Sequence, residues 1–149
     1  MSREYPQSPV VSVAAVVVHE DQVLLVRRGR PPAEGEWNIP GGVVELGETC
    51  RRAAKREVFE ETKLDVDLWD VVDVVDKVVI DAAGRIRYHY VIIDYLATVR
   101  KDSPAIHPQA SDDIVDAQWV PIDQIEGFNL QPQLLEVIRK AIKMRSACT

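Results

Sequence analysis

Three glutamates, Glu57, Glu60 and Glu61, stand in a stretch, residues 49–62, that has neither glycine nor proline and is rich in Ala, Arg, Lys and Glu. That composition predicts a helix. Wound at about 100° per residue with Glu57 at zero, Glu61 falls near 40° and Glu60 near 300°, so the three carboxylates share an arc of roughly 100°. Cys50, Ala54 and Val58 fall on the same side, whereas Arg51, Arg52, Lys55 and Arg56 occupy about 120° to 260°. The acids therefore point toward the small, apolar side. An ordinary amphipathic helix would send them to water with its bases.

Two carboxylates about 5 Å apart repel by roughly 3 kcal/mol at an effective dielectric near 20, so three on one patch must bind protons or hold a cation. Hard divalent cations prefer oxygen ligands. Mg²⁺ takes only a few carboxylates and completes its octahedron with water and substrate phosphate. Pro40-Gly41-Gly42 precedes the helix and supplies a turn without side-chain bulk, where backbone groups approach a metal or phosphate closely. The competing arrangement is a solvated charge run with Arg56 and Glu60 paired at i, i+4. Inward acids and the glycine-rich entry favour the metal site.

The elements that must position this patch are legible from periodicity. Thr49 is placed as N-cap of the helix. Val10 to Val18 and Val23 to Arg27 are β-branched runs around Glu20-Asp21-Gln22, a hairpin with a short polar turn. Gly29 to Glu36, with Pro31-Pro32 and Gly35, is a loop leaving a strand end, a usual place for ligand contacts. Leu68 to Ile80 and Ile86 to Val99 flank Asp81 to Arg85 as a second hairpin, and Ile114 to Val120 forms a last strand stopped by Pro121. Leu134, Leu135, Ile138, Ala141 and Ile142 recur at helical spacing and predict a helix from about Leu130 to Met144. Strands, helix, strands, helix make a mixed sheet with helices on two faces, an α+β class, in one domain across residues 1–149.

Composition narrows the partners. Aliphatic and aromatic residues make up 46% of the chain and charged residues 28%, with a net charge of −6, a soluble globular balance. No run of Lys or Arg is long enough to track a nucleic-acid backbone. The apolar run Val10 to Val18 is far shorter than the roughly 20 residues that span a bilayer, so no membrane is expected either. Cys50 and Cys148 have neither paired spacing nor nearby histidines, which excludes a zinc site or a disulfide framework and points to the reducing cytoplasm. His19, His89 and His107 are scattered and receive no catalytic role.

Gly42, Glu48, Arg56, Glu57, Val58, Glu60, Glu61 and Leu64 stand in the register G-x₅-E-x₇-R-E-U-x-E-E-x-G-U, with U aliphatic. The chain thereby resembles the Nudix hydrolase family. One fixed position departs: Lys63 replaces the glycine after the helix, and must either adopt a left-handed conformation at a cost of roughly 1 kcal/mol or prolong the helix. The likeness extends to Leu24-Leu25-Val26-Arg27-Arg28, to Trp37 ahead of the Pro40 turn, and to Trp119-Val120-Pro121. Within the family it is most similar to the short ADP-ribose pyrophosphatase-like branch.

The resemblance implies a three-layer α/β/α sandwich around a mixed β-sheet, and a site holding Mg²⁺, with Mn²⁺ as a substitute. It makes Glu57 and Glu61 the principal metal ligands, with Glu60 and the Gly42 carbonyl supporting. Glu48 would be a further ligand or a water-orienting group, and Arg56 would hold the acids by charge-assisted hydrogen bonds. The metal would neutralise a diphosphate and lower the pKa of the attacking water. The box does not fix the general base, and Asp113 or Asp112 in the loop Lys101 to Asp113 is the candidate.

Arg27 and Arg28 alternate along a strand, so at most one faces the site, and each is a candidate either for binding the diphosphate through its guanidinium or for a surface role. Trp37, Tyr88, Tyr90 and Trp119 are candidates for stacking on a base or for core packing. The implied reaction is hydrolysis of a phosphoanhydride in a nucleoside diphosphate linked to another moiety, ADP-ribose favoured, by a cytoplasmic enzyme for which a homodimer is compatible. The alternatives are pyrophosphohydrolysis of a nucleoside triphosphate, including an oxidised one, and a non-catalytic nucleotide-sensing module.

Overall fold

The computed structural model describes residues 3–30, 33–103 and 106–147; Pro31, Pro32 and Cys148, used in the sequence reading, lie outside them. The first two β-branched runs form β1 (Val10–His19) and β2 (Gln22–Arg28), paired antiparallel. Their turn is tighter than expected. Glu20 takes φ 54° and His19 already pairs with Gln22, so Gln22 belongs to the strand.

β1 and β2 pair only near this turn, at Val18 with Val23 and His19 with Gln22. Farther along, the two strands part, and β3 (Trp37–Asn38) and β4 (Gly41–Val43) occupy the fork between them. β3 pairs with β2 at Val26 and Arg27, and β4 pairs with β1 at Ser12 to Ala14. Strands this short carry no readable period, which is why the sequence showed only a glycine turn here.

On its other edge β1 runs parallel to β6 (Ile86–Val99), and β5 (Val66–Ile80) lies antiparallel outside β6. β7 (Ile114–Pro121) covers the outer edge of β2. The result is a mixed seven-stranded sheet. Alternate residues of β1 point to opposite faces, and both faces are covered. Val13 packs with Ala53 and Ala54 of α1 (Cys50–Thr62), whereas Ala14, Val16 and Val18 pack with Val137, Ile138 and Ala141 of α2 (Pro132–Ala147). That double burial explains the unbroken apolar run Val13 to Val18 in β1. The architecture is the expected α+β arrangement of a mixed sheet between helices.

α2 starts at Pro132 rather than near Leu130, because proline suits the first helical position, whose N–H needs no partner. A 3₁₀ helix, Ile122–Phe128, fills a stretch the periodicity left unassigned and ends at Asn129 with φ 54°. No described helix is long and apolar enough to cross a membrane.

Candidate active site

α1 is capped by Thr49, whose hydroxyl accepts from the Arg52 amide at 3.2 Å, and it buries Ala53, Ala54 and Val58. Continuing the same stripe by one turn brings Glu61 inward, 5% exposed. The side chain of Glu57 is 13% exposed and that of Glu60 45%. The helix ends where Lys63 takes φ 64° and donates its amide to the Phe59 carbonyl at 2.8 Å. Of the two outcomes open to Lys63, the left-handed one is realised.

The glycine entry meets these acids directly. Gly41 N–H donates to Glu61 Oε1 at 2.8 Å. A Cβ on Gly42 would lie 2.4 Å from the Glu57 carboxyl carbon, and one on Gly41 would lie 2.3 Å from the Val13 carbonyl oxygen. Neither position accepts a side chain without moving its neighbours. The Gly42 carbonyl accepts from Ser12 Oγ at 2.9 Å, a contact with no sequence signal because Ser12 sits inside an apolar strand.

Arg56 organises the cluster. Its Nε and Nη2 donate to Glu48 at 2.7 and 2.9 Å, Nη1 donates to Glu57 at 2.9 Å and to Glu60 at 3.2 Å, and Nη2 also donates to the Val43 carbonyl at 3.2 Å. The i, i+4 pair with Glu60 therefore coexists with the inward acids. Among the described residues no three acidic, histidine or cysteine side chains converge at metal-binding distance; here Arg56 and Gly41 N–H engage them.

The electrostatics separate the acids. Hydrogen bonds from Arg56 pull the Glu48 carboxyl down to about 2. Burial pushes Glu57 up against the opposing pull of Arg56. Burial, aided by the charges of Glu57 and Asp112, pushes Glu61 up to about 8 against the Gly41 N–H. Two buried carboxyls held protonation-prone beside a backbone without side chains form a hard-oxygen donor set that a divalent cation would neutralise. The residues thus fit Mg²⁺.

The loop before β7 is stitched to the end of α1: Gln109 N–H donates to the Thr62 carbonyl at 2.8 Å, and Ser111 N–H to the Glu61 carbonyl at 3.0 Å. This brings Asp112, with φ 61°, into the field of Glu57 and Glu61. Asp113 instead meets Arg30 Nε at 3.2 Å. Likewise the two strand arginines diverge: Arg28 acts on Glu61, whereas Arg27 lies 5.7 Å over the Trp37 ring and keeps a buried Nε without a hydrogen-bond partner.

Trp37 meets Phe128 edge-on at 5.1 Å, and both line a cavity of about 250 Å³ with Gly35, Glu36, Asn129 and Gln131. A larger hollow of about 370 Å³ beside the 3₁₀ helix, between Ile122 and Lys143, contains none of the clustered carboxylates. The other aromatics stand apart. Tyr88 and Tyr90 stack on each other at 6.1 Å, and Trp119 packs on His19 while donating Nε1–H to the Ile106 carbonyl. Phe128 and Asn129 carried no sequence signal, since they are the last residue and the cap of the unpredicted 3₁₀ helix.

The site is thus a set of acids and an arginine gathered at a glycine turn beside a sheet covered by two helices. The NUDIX domain family matches residues 8–142, and the chain belongs to that family of hydrolases. It is 34% identical over 116 residues to the putative 8-oxo-dGTP diphosphatase 2 of Mycobacterium tuberculosis, covering 76% of this chain and 82% of that one. It is 28% identical over 117 residues to the ADP-ribose pyrophosphatase of Methanocaldococcus jannaschii, covering 78% and 64%. Among solved structures, a MutT NUDIX hydrolase from Burkholderia pseudomallei superimposes with a TM-score of 0.72 at 28% identity, over 90% of this chain and 98% of that one.

Proposed function

We propose that the chain, acting as a single domain over residues 1–149 in the cytoplasm, uses Mg²⁺, or Mn²⁺ in its place, to hydrolyse a phosphoanhydride in a nucleoside diphosphate linked to another moiety, with ADP-ribose as the favoured type. The observation that carries this reading is the burial of Glu57 and Glu61 against Gly41 and Gly42. Glu57, Glu60, Glu61 and the Gly42 carbonyl would hold the metal. When bound, the ion supplies charge neutralisation at the diphosphate.

The chain's own residues do the rest. Arg56 fixes Glu48, Glu57 and Glu60, and Arg28, on the acid side of β2, binds a phosphate oxygen. Of the two sequence candidates for the base, Asp112 accepts the proton of the attacking water, whereas Asp113 is turned toward Arg30. Trp37 and Phe128 hold the nucleoside, with Asn129 and Gln131 as polar contacts and Arg27 backing Trp37.

A second reading, pyrophosphohydrolysis of a nucleoside triphosphate such as an oxidised purine, is favoured by the identity to the mycobacterial protein named for 8-oxo-dGTP. Product analysis separates them, because metal chemistry alone does not. AMP with ribose 5-phosphate from ADP-ribose supports the first reading. Monophosphate with pyrophosphate from the triphosphate, and no cleavage of ADP-ribose, supports the second.

A further inference from the structure

Asp94 is 4% exposed in a core that is otherwise almost wholly apolar. It lies between Ile92 and Leu96 of β6, both of which pack on the α2 side, so the two-residue strand period sends its carboxyl to that face. Its cross-strand neighbours are Ala14 in β1 and Asp73 in β5, and neither side chain offers a donor. Lys140 of α2 meets Asp73, at 4.0 Å.

No described residue donates a hydrogen bond to the Asp94 carboxyl or pairs with it. The side-chain atom both sealed from solvent and without a partner is, among the described residues, Arg27 Nε, so the Asp94 oxygens retain a sliver of contact with the outside. A carboxyl withdrawn from water with no donor is costly, and burial, followed by the Asp73 charge, holds it up at about 7. Such a group is incomplete until something brings it a donor.

Its position sets it close to the glycine turn. Ala14 pairs with Asp94 on one edge and with Gly41 on the other. Asp94 is thus two strand spacings, on the order of 10 Å, from the backbone that binds Glu61. Trp37, Ile39 and Ala14 pack on the same side of the sheet as Asp94. Ala14, the residue between Gly41 and Asp94, adds only a methyl group on that side. A nucleotide whose phosphates lie at Gly41 reaches about this far with the edge of its base.

We propose that Asp94 is a specificity-determining residue that reads the base, accepting a hydrogen bond from the exocyclic amino group of a purine whose phosphates lie at Gly41 and Gly42; this rests on the nucleotide reading above. Asp94 lies on β6, outside the residues that carry the chemistry, so base choice and bond cleavage are assigned to different elements.

Calorimetric binding of AMP, GMP and IMP, the last lacking an exocyclic amino group, tests this without turnover. Wild type is expected to bind at least one of AMP and GMP about ten-fold more tightly than IMP. Asp94→Val, apolar and suited to a buried strand, should bring that ratio within about two-fold, and Asp94→Asn, which keeps an acceptor oxygen, should restore part of it. Equal binding of all three by wild type overturns the proposal, as does a wild-type ratio in Asp94→Val. Should Asp94→Val not fold, the wild-type ratio and Asp94→Asn decide. Absence of Mg²⁺-dependent turnover in wild type, with the base preference intact, would sink the proposed reaction and leave the assignment of Asp94 standing.

Discussion

The Arg56 guanidinium grips the Glu48 carboxylate with two nitrogens, Nε at 2.7 Å and Nη2 at 2.9 Å, while its third nitrogen bridges Glu57 and Glu60. A lysine cannot reproduce this fork. Arg56→Lys should fold, lose about a hundred-fold or more in kcat/KM, and gain less thermal stability from Mg²⁺ than wild type gains. Steady-state kinetics and melting with and without Mg²⁺ check this; wild-type kcat/KM would remove Arg56 from the machinery.

Glu57→Gln and Glu61→Gln should each leave a folded protein whose turnover falls by orders of magnitude, because the charge that draws the cation is gone. Circular dichroism and kinetics at saturating Mg²⁺ are the measurements. A wild-type rate in either variant rejects that residue as a ligand.

Gly42→Ala inserts a methyl group 2.4 Å from the Glu57 carboxyl carbon. The side chain of Glu57 must move away, so activity should drop about a hundred-fold with little change in melting temperature. Asp112→Asn and Asp113→Asn form a paired test of the proton acceptor. The first should lower kcat by roughly 10²-fold or more and the second by less than about three-fold.

Asp94 links stability to pH in metal-free buffer. Burial and Asp73 raise its carboxyl from 3.8 to about 7 in the folded chain, so the folded state binds the extra proton between those values. Its contribution is full below about 4 and is lost as pH rises through about 7. Asp94→Asn should therefore flatten the pH dependence and stabilise the protein at pH 8 by on the order of 2 kcal/mol, read by urea unfolding at pH 5 and pH 8. An unchanged difference between the two pH values would refute it.

Lys63→Gly should be neutral or stabilising by less than about 1 kcal/mol, because Lys63 already sits at φ 64° and glycine relieves that strain while losing more entropy on folding. Turnover should stay near normal. A large loss of rate would show that Lys63 touches substrate.

The long elements and the inward set of Glu57 and Glu61 were legible because they rest on local periodicity, and Thr49 and Lys63 because caps are local too. What the sequence hid depends on through-space neighbours. Asp112 and Asp113 are adjacent and chemically alike, and only the bonds from Gln109 and Ser111 to α1 separate them. Arg27 and Arg28 were known to face opposite ways, but which one met the acids followed from the register of β2. Phe128 ends, and Asn129 caps, a 3₁₀ helix whose weak period leaves no trace, and Asp94 looked like one more acid in a strand.

The fork between β1 and β2 carries a further consequence. Trp37, beside the aromatic cavity, and Gly42, beside Glu57, are joined by Asn38, Ile39, Pro40 and Gly41, a run of fixed length that bends at Pro40 between β3 and β4. That run works as a ruler whose marks are whole residues. Substitutions around it can change which base is welcome, but moving the cut to a neighbouring phosphorus would call for an insertion or deletion between Trp37 and Gly42.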